Sequence, residues 1–171
     1  MSLVNGLPAH ILLVHFVVVL VPLTALALVV CAAWPRAAQR MGVVLPLLAL
    51  VTLVSVPLTT GAGEWLEGHV ESNALVRRHA ELGDGLLPWV MGLFVLAAVV
   101  WWATGRAAVS GSGGSVRGPG SAMPVRVAAV VLSLAVAAGG VVDVYRIGDS
   151  GAKAAWQDGF SKTSAGSGDD D

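Results

Sequence analysis

Residues 11–34 read ILLVHFVVVLVPLTALALVVCAAW and contain no Asp, Glu, Lys or Arg. An α-helix of this length rises about 36 Å, which is enough to cross the roughly 30 Å hydrocarbon core of a bilayer. A surface helix of a soluble protein carries a polar stripe, whereas this stretch is apolar around almost its whole circumference. It therefore predicts a helix that spans a membrane.

Three further stretches of the chain are apolar enough to span, and they run from about 43 to 59, 86 to 103 and 125 to 147. Charged residues make up only 12% of the 171 residues, against about 25% in soluble domains. This composition excludes both an ordinary soluble domain and a disordered chain. The sequence predicts an all-α membrane protein, a four-helix transmembrane bundle that crosses a plasma membrane several times.

The remaining segments divide the chain into one transmembrane domain and one tail. Residues 1–160 are expected to form a single domain. Within it, SGSGGSVRGPGS at 110–121 has the composition of a flexible linker. Residues 161–171 are polar and end in three aspartates, which predicts a disordered acidic tail.

Arginines in the short loops predict the orientation of the bundle. Loops 35–42 and 105–124 contain arginine and no acidic residue, whereas loop 60–85 holds five acidic residues against two arginines. Because Lys and Arg accumulate in cytoplasmic loops, the first two loops are expected in the cytoplasm. Both termini and loop 60–85 are then predicted on the outer side, together with all four histidines.

His15 lies among apolar residues within the first span, where an ionisable side chain is expected to face other helices and to have a partner. It is about 140° from His10 around a helix, so these two rings cannot share one small ligand. His10 is expected at the membrane interface. The alternatives for His15 are a single interhelical hydrogen bond, a haem or metal ligand, and a role in proton transfer.

His79 precedes the third span and shares a helix face with Gly83, which leaves room for a flat cofactor or for a close helix approach. Asp143 lies near the end of the fourth span, on one face with small residues that favour close packing. It is expected to orient a histidine or to pair with an arginine. We take His15 and His79 as candidate haem ligands; the alternative is a zinc or copper site on the group His15, His79, Asp143 and Glu64.

Several classes of function lack their sequence signal. The P-loop, GxGxxG, GxSxG and HExxH motifs are absent, and no basic patch indicates nucleic-acid binding. The single cysteine, Cys31, excludes an intrachain disulfide, and no zinc-binding Cys/His spacing occurs. We expect no independent catalytic activity.

Four motifs resemble a bacterial membrane-protein family known as domain of unknown function 2231. The segments GLPAHILLVHF at 6–16, VPLTTGAGEWLE at 56–67, RRHAELGD at 77–84 and VYRIGDSGAKAAW at 144–156 are similar to its actinobacterial branch. The resemblance implies four spans and includes His15 and His79. Asp149 stands where many members have histidine. Fusions of some members to iron–sulfur or cytochrome c domains imply redox surroundings.

Three hypotheses of function follow. The first is a b-type haem or a metal in the outer half of the bundle, used for electron transfer with a redox partner. The second is a non-catalytic scaffold or accessory subunit of a larger complex, with the bilayer and a homo-oligomer or other protein as partners. The third is a small transporter or proton channel, which ranks last because the cytoplasmic half of the spans lacks ionisable residues.

Overall fold

The computed structural model describes residues 3–4, 7–69, 74–110 and 119–156. Nearly all of these residues are helical, and the four long helices are apolar enough to cross a membrane, so the predicted all-α membrane fold is confirmed. The elements are strands β1 (Leu3–Val4) and β2 (Leu7–Pro8), which pair antiparallel, and helices α1 (Ala9–Ala33), α2 (Pro35–Met41), α3 (Val44–Glu67), α4 (Ala74–Ser110) and α5 (Pro119–Trp156).

The predicted linker at 110–121 is helical at both ends, since α4 includes residue 110 and α5 begins at residue 119. The rest of the linker and the predicted acidic tail at 161–171 lie outside the described residues. Loop 35–42 contains the short helix α2. Pro35 suits the first turn of a helix because that turn needs no N–H, and Gly42 ends α2 with a φ of 50°.

Helix α3 continues well beyond residue 59, where the second span was expected to end. Pro57 lies inside the helix, and hydroxyl groups in the neighbouring turns donate to backbone carbonyls. Thr59 donates to the Ser55 carbonyl over 2.7 Å, and Thr60 donates to the Pro57 carbonyl over 3.3 Å. These bonds reach the Ser55 and Pro57 carbonyls and not that of Leu53, whose helical N–H donor Pro57 removes. Helix α3 nevertheless extends to Glu67.

The four long helices form a bundle in which α1 and α4 face each other across a diagonal. Each of these two helices packs along both α3 and α5, and they touch each other much less. The start of α1 lies beside the end of α3, and the start of α4 lies beside the end of α5. We call this end of the bundle, around His10, Thr59, His79 and Ile147, the histidine end.

Small residues set the distance between α4 and α5. The ring of Trp89 lies directly over Gly139, where an added Cβ would come within 2.2 Å of it, and Gly92 leaves 3.0 Å to Val136 in the same way. The close packing predicted for the face of Gly139 is therefore confirmed. This contact holds α5 against α4 and positions Asp143 one turn further toward the histidine end.

Candidate functional site

His10 and His79 face each other at the histidine end of the bundle core. Their ring centroids are 6.2 Å apart and the ring planes are nearly perpendicular, at 89°. Both side chains are half-buried. Because α1 and α4 are the diagonal pair, the two rings meet across the middle of the bundle.

The ring of His10 is fixed by helix α3. Its Nδ1 lies 3.0 Å from the carbonyl oxygen of Thr59. The ring also rests on Gly63, where an added Cβ would stand 2.9 Å from the His10 Cε1 atom. A side chain at position 63 would therefore push the ring out of this place.

Helix α5 fixes the ring of His79 in the same way. The Nδ1 of His79 lies 3.1 Å from the carbonyl oxygen of Ile147 and 3.0 Å from the Ser150 hydroxyl. The ring rests on Gly151, where an added Cβ would stand 3.0 Å from its Cε1 atom.

The two histidines thus occupy equivalent places in the two halves of the chain. In each half, a histidine near the start of one helix reaches a carbonyl near the end of the next helix, and a glycine follows that carbonyl by four residues. The sequence shows no repeat at a fixed period. The repetition is one of geometry, and it relates the pairs α1–α3 and α4–α5.

The hydrogen bonds of the two rings determine their tautomers. A carbonyl oxygen only accepts, so the Nδ1 atoms of His10 and His79 must carry the hydrogen and donate it. In a neutral ring the lone pair is then on Nε2, and neither Nε2 makes a hydrogen bond within the described part of the chain. Metal-binding histidines are usually oriented in this way, through a carbonyl that fixes the other ring nitrogen.

A cavity of about 50 Å³ adjoins the two rings. All four long helices contribute to its wall, which is mainly aliphatic apart from the two histidines, Thr59 and Thr60. Gly83 and Leu86 line it together with His79, which confirms that these residues share one helix face. The cavity has room for about three to five water molecules and is far smaller than a porphyrin.

His15 is placed differently from the sequence-based expectation. Its side chain is exposed on the outer surface of the bundle, and its Nδ1 bonds to the Ile11 carbonyl of its own helix over 2.6 Å. The expectation that it faces other helices is wrong, because His10 takes the core-facing direction and His15 lies about 140° away from it. The structure therefore brings His10, and not His15, to His79.

The acidic candidates do not join the two histidines. Asp143 is half-buried, and its Oδ2 atom is buried without a hydrogen bond from any described residue. Neither of its expected partners, a histidine or an arginine, donates to that oxygen. Glu64 is exposed next to Gly63. Within the described residues, no group of three or more His, Cys, Asp or Glu side chains could hold a metal ion, so the four-residue zinc or copper site does not form there.

Sequence reasoning missed His10 because it was assigned to the membrane interface. The sequence does carry one signal for His10. Two histidines about 140° apart on one helix cannot both face the core, so a core position for one of them excludes it for the other. The glycines at 63 and 151 gave no further signal, because only the structure shows that a histidine ring rests on each of them.

Comparisons with known proteins place the chain in a family. Neither the curated proteins nor the solved structures give a match. The model of the family described as "Predicted membrane protein (DUF2231)" matches residues 6–164, a range that includes both histidines and all four long helices. The chain belongs to this family of membrane proteins.

Proposed function

We propose that the protein holds a redox-active metal centre between His10 and His79 and transfers single electrons at the histidine end of the bundle. One observation carries this proposal. Two histidines meet across the bundle core with both Nδ1 atoms bonded to backbone carbonyls, and neither Nε2 makes a hydrogen bond to another described residue.

The separation of the rings supports a metal between them. With metal–nitrogen bonds of about 2.0–2.1 Å and the radius of each ring included, two imidazoles bound in line have centroids about 6.4 Å apart. The observed separation is 6.2 Å. The separation of the two ring centroids is therefore compatible with one metal ion between them.

The number of available protein ligands restricts which metal or cofactor can bind between the rings. Zinc in proteins takes three or four protein ligands, and the described residues offer no third ligand beside the two histidines. Haem iron needs only two, because the porphyrin supplies the other four nitrogens. Monovalent copper accepts two nitrogens in line, and imidazole is a common copper ligand. The two imidazole nitrogens therefore form a ligand set that either haem b or monovalent copper can use.

Haem b and copper differ in the volume that they need at this site. A copper ion fits the cavity of about 50 Å³ as it stands. A porphyrin fits only if the side chains beside the rings move outward. Gly83 lines the cavity one turn from His79, so α4 has no side chain to move at that point. The His10–His79 pair replaces the ligand pair His15 and His79 in both versions of the proposal.

The protein's own residues would position and shield such a centre. Thr59 and Ile147 hold the rings through their carbonyls, and the aliphatic wall excludes bulk water. A haem iron with two histidine ligands has no open position for a substrate, which suits electron transfer rather than catalysis. A redox partner would approach the histidine end.

The test is an absorption spectrum of the detergent-purified protein, oxidised and then reduced with dithionite, with metal analysis on the same sample. One preparation is expressed with added haem and one with added copper. We expect one equivalent of haem, with a Soret band and reduced α and β bands, or one equivalent of colourless Cu⁺. The centre should be lost in His10→Ala and in His79→Ala.

Two matched variants complete this test. His15→Ala and His69→Ala remove exposed histidines whose hydrogen bonds, among the described residues, go to the Ile11 carbonyl of α1 and the Trp65 carbonyl of α3, and both should keep the centre. Loss of the centre in His15→Ala with retention in His10→Ala would contradict the proposed pair. A wild-type protein that binds neither haem nor copper would overturn the proposal.

A second candidate, an accessory subunit of a larger membrane assembly, is favoured by His15. Its ring lies on the outer surface of the bundle within an apolar stretch, where an ionisable side chain usually has a partner from another helix. Mass measurement in detergent or in nanodiscs tests this candidate. Assembly should weaken in His15→Leu, and a strictly monomeric wild-type protein without bound partners would contradict it.

A further inference from the structure

The helix pairs α1–α3 and α4–α5 share one pattern of burial. A shift of 69 residues carries α1 onto α4 and His10 onto His79, and a shift of 88 residues carries α3 onto α5 and Thr59 onto Ile147. Among the described side chains, each buried residue of α4 and α5 then falls on a buried residue of α1 or α3. In α4 and α5 these buried residues are Leu86, Val90, Leu93, Ala97 and Val100, and Ser133, Ala137, Gly140, Val144 and Ser150. The bundle thus consists of two equivalent halves, related by an approximate twofold axis that runs along the bundle between the two histidines.

The same shift of 69 residues relates His15 of α1 to Asp84 of α4. Each lies five residues after the core-facing histidine of its helix, which is about 140° around the helix axis. Both side chains therefore face away from the core, and both are exposed. Because α1 and α4 are the diagonal pair, His15 and Asp84 lie on opposite sides of the bundle. The twofold axis runs along the bundle, so the two side chains lie at a similar depth in the membrane.

Neither side chain has a partner on another helix among the described residues. The Nδ1 of His15 donates to the Ile11 carbonyl of its own helix over 2.6 Å, which leaves Nε2 as the ring atom that can bond outward. Asp84 makes no ion pair or hydrogen bond with another described residue. Ionisable side chains at the depth of a membrane span usually pair with one another or face a cavity. His15 and Asp84 are therefore expected to find their partners outside their own chain.

The two outer faces are complementary in charge. Helix α1 contains no Asp, Glu, Lys or Arg, so a protonated His15 supplies the charge on its face. Near Asp84, Glu81 lies one turn further out and adds negative charge, and Arg77 lies another turn beyond it. Hydrogen bonds between an imidazolium and a carboxylate are about twice as strong as neutral ones. Deeper in the membrane both faces continue with exposed apolar residues, Val19 and Leu26 on α1 and Met91 and Val95 on α4.

We propose that copies of this chain associate side by side in the membrane, with His15 of one copy bonded to Asp84 of the next. The inference rests on the second candidate function and names its partner as a second copy; it does not involve a metal centre. Helix α1 of one copy lies parallel to α4 of the next, because both helices begin at the histidine end. The Nε2–H of a protonated His15 donates to the Asp84 carboxylate, while Nδ1 keeps its bond to Ile11. Because each copy uses two different faces, the contact is head-to-tail, and copies add into rows or rings.

The test is the oligomeric state of the full chain in nanodiscs, measured by native mass spectrometry, and in detergent, measured by analytical ultracentrifugation. We expect oligomers of the wild type. Truncating one partner of a desolvated charge pair is strongly unfavourable, so His15→Leu and Asp84→Asn should each weaken association by about tenfold or more. The exchange of both residues in one chain, His15→Asp with Asp84→His, should restore association, since every contact again joins one histidine to one aspartate.

His69→Leu and Asp149→Asn are the matched controls. Both remove exposed ionisable side chains whose bonds, among the described residues, go to the Trp65 carbonyl and to Lys153, and both should associate like the wild type. An Asp84→Asn chain that assembles like the wild type, or a wild type that assembles only with another protein, overturns the inference while the second candidate function stands. A strictly monomeric wild type without bound partners overturns both.

Cross-linking in membranes covers the case in which these variants fail to fold. Leu26→Cys and Val95→Cys, combined in a Cys31→Ala background, place one thiol on each face and keep His15 and Asp84. The two thiols lie on opposite sides of one bundle, so they cannot bond within one chain. A membrane-permeant oxidant should yield a ladder of dimers, trimers and larger species, whereas Leu26→Cys alone should stay monomeric. The absence of a ladder, or dimers of Leu26→Cys alone, would contradict the head-to-tail contact.

Discussion

The two ends of the bundle differ in the polar side chains that they place toward the core. At the histidine end, His10, His79 and Asp143 point inward. At the opposite end, Trp34 and Trp102 are exposed, with exposed fractions of 64% and 55%. Polar groups that face outward in a membrane protein anchor it at the interface, whereas inward-facing ones are expensive and usually functional. The polar groups in the core support the proposed function at the histidine end, whereas exposed aromatic residues occur at both ends, since Tyr145 and Trp156 near the histidine end are 75% and 66% exposed.

The largest effect is expected between the two ends, where Trp89 covers Gly139. In Gly139→Ala the new Cβ would stand 2.2 Å from the indole ring, so the ring or the helix must move. Overpacking of this kind costs about 1–3 kcal/mol, and we expect the upper part of that range. The measurement is unfolding in detergent by sodium dodecyl sulfate.

Two further variants sharpen this prediction. Gly105→Ala is the control, since nothing lies within 4 Å of its added Cβ, and it should leave the free energy of unfolding almost unchanged. Trp89→Leu in the Gly139→Ala background should recover part of the loss. If Gly139→Ala is as stable as Gly105→Ala, the close contact between α4 and α5 is wrong.

The next prediction tests the histidine end through the glycines beneath its rings. Gly63→Ala and Gly151→Ala place a Cβ 2.9 Å and 3.0 Å from the rings of His10 and His79. Displacing groups that orient metal ligands typically costs 10–100-fold in affinity, so we expect a loss of this size in haem or copper affinity. Equilibrium titration of the purified protein measures it.

The chain offers a matched control for each glycine. Gly61→Ala and Gly148→Ala lie on the same helices as Gly63 and Gly151 and meet nothing within 4 Å, so their affinity should equal that of the wild type. Equal losses of affinity in all four variants would mean that the substitutions act through the helix backbone and not by displacing the histidine rings.

The architecture was predictable from sequence because the length and apolarity of a membrane span are properties of single segments. The rotation of each span about its own axis was not predictable in this way. Helix α1 is apolar on nearly all sides, so it has no polar stripe to show which face is buried. This is why His15 was assigned to the core in place of His10. The extension of α3 past Pro57 was not predicted either, because proline was expected to end the helix, whereas helices in membranes tolerate it.

The candidate site depended even more on tertiary contacts. His79 and Gly83 share a face by helical spacing alone, and that part of the site was correctly predicted. The roles of the Thr59 and Ile147 carbonyls were not predicted, since any residue can supply a carbonyl and the sequence gives no signal for it. The unpartnered oxygen of Asp143 reflects what α4 places opposite it, namely Gly85.

A smaller effect is expected in the middle of the bundle, where the side chains of Thr24 and Thr52 are fully buried and bonded over 2.7 Å. Thr52→Val keeps the shape and removes the bond. Interhelical bonds of this kind contribute about 0.6 kcal/mol on average in membranes, so the free energy of unfolding should fall by about that amount, with metal binding unchanged. Thr104→Val is the control, because the Thr104 hydroxyl, among the described residues, bonds to carbonyls of its own helix. A loss of haem or copper binding in Thr52→Val would contradict the confinement of function to the histidine end.

A similarly small effect is expected at the opposite end, where the guanidinium of Arg106 lies 3.8 Å from the ring centre of Trp102. Arg106→Gln removes this cation–π contact, which at an exposed site contributes about 0.5–1 kcal/mol at most. Arginine in this loop also favours the cytoplasmic side, so the variant tests orientation together with stability. We expect a slight fall in the free energy of unfolding, unchanged metal binding, and a labelling pattern in intact cells that still places the loop inside. If Arg106→Gln alters the spectrum of the centre, the two ends are coupled and the division between anchoring and function fails.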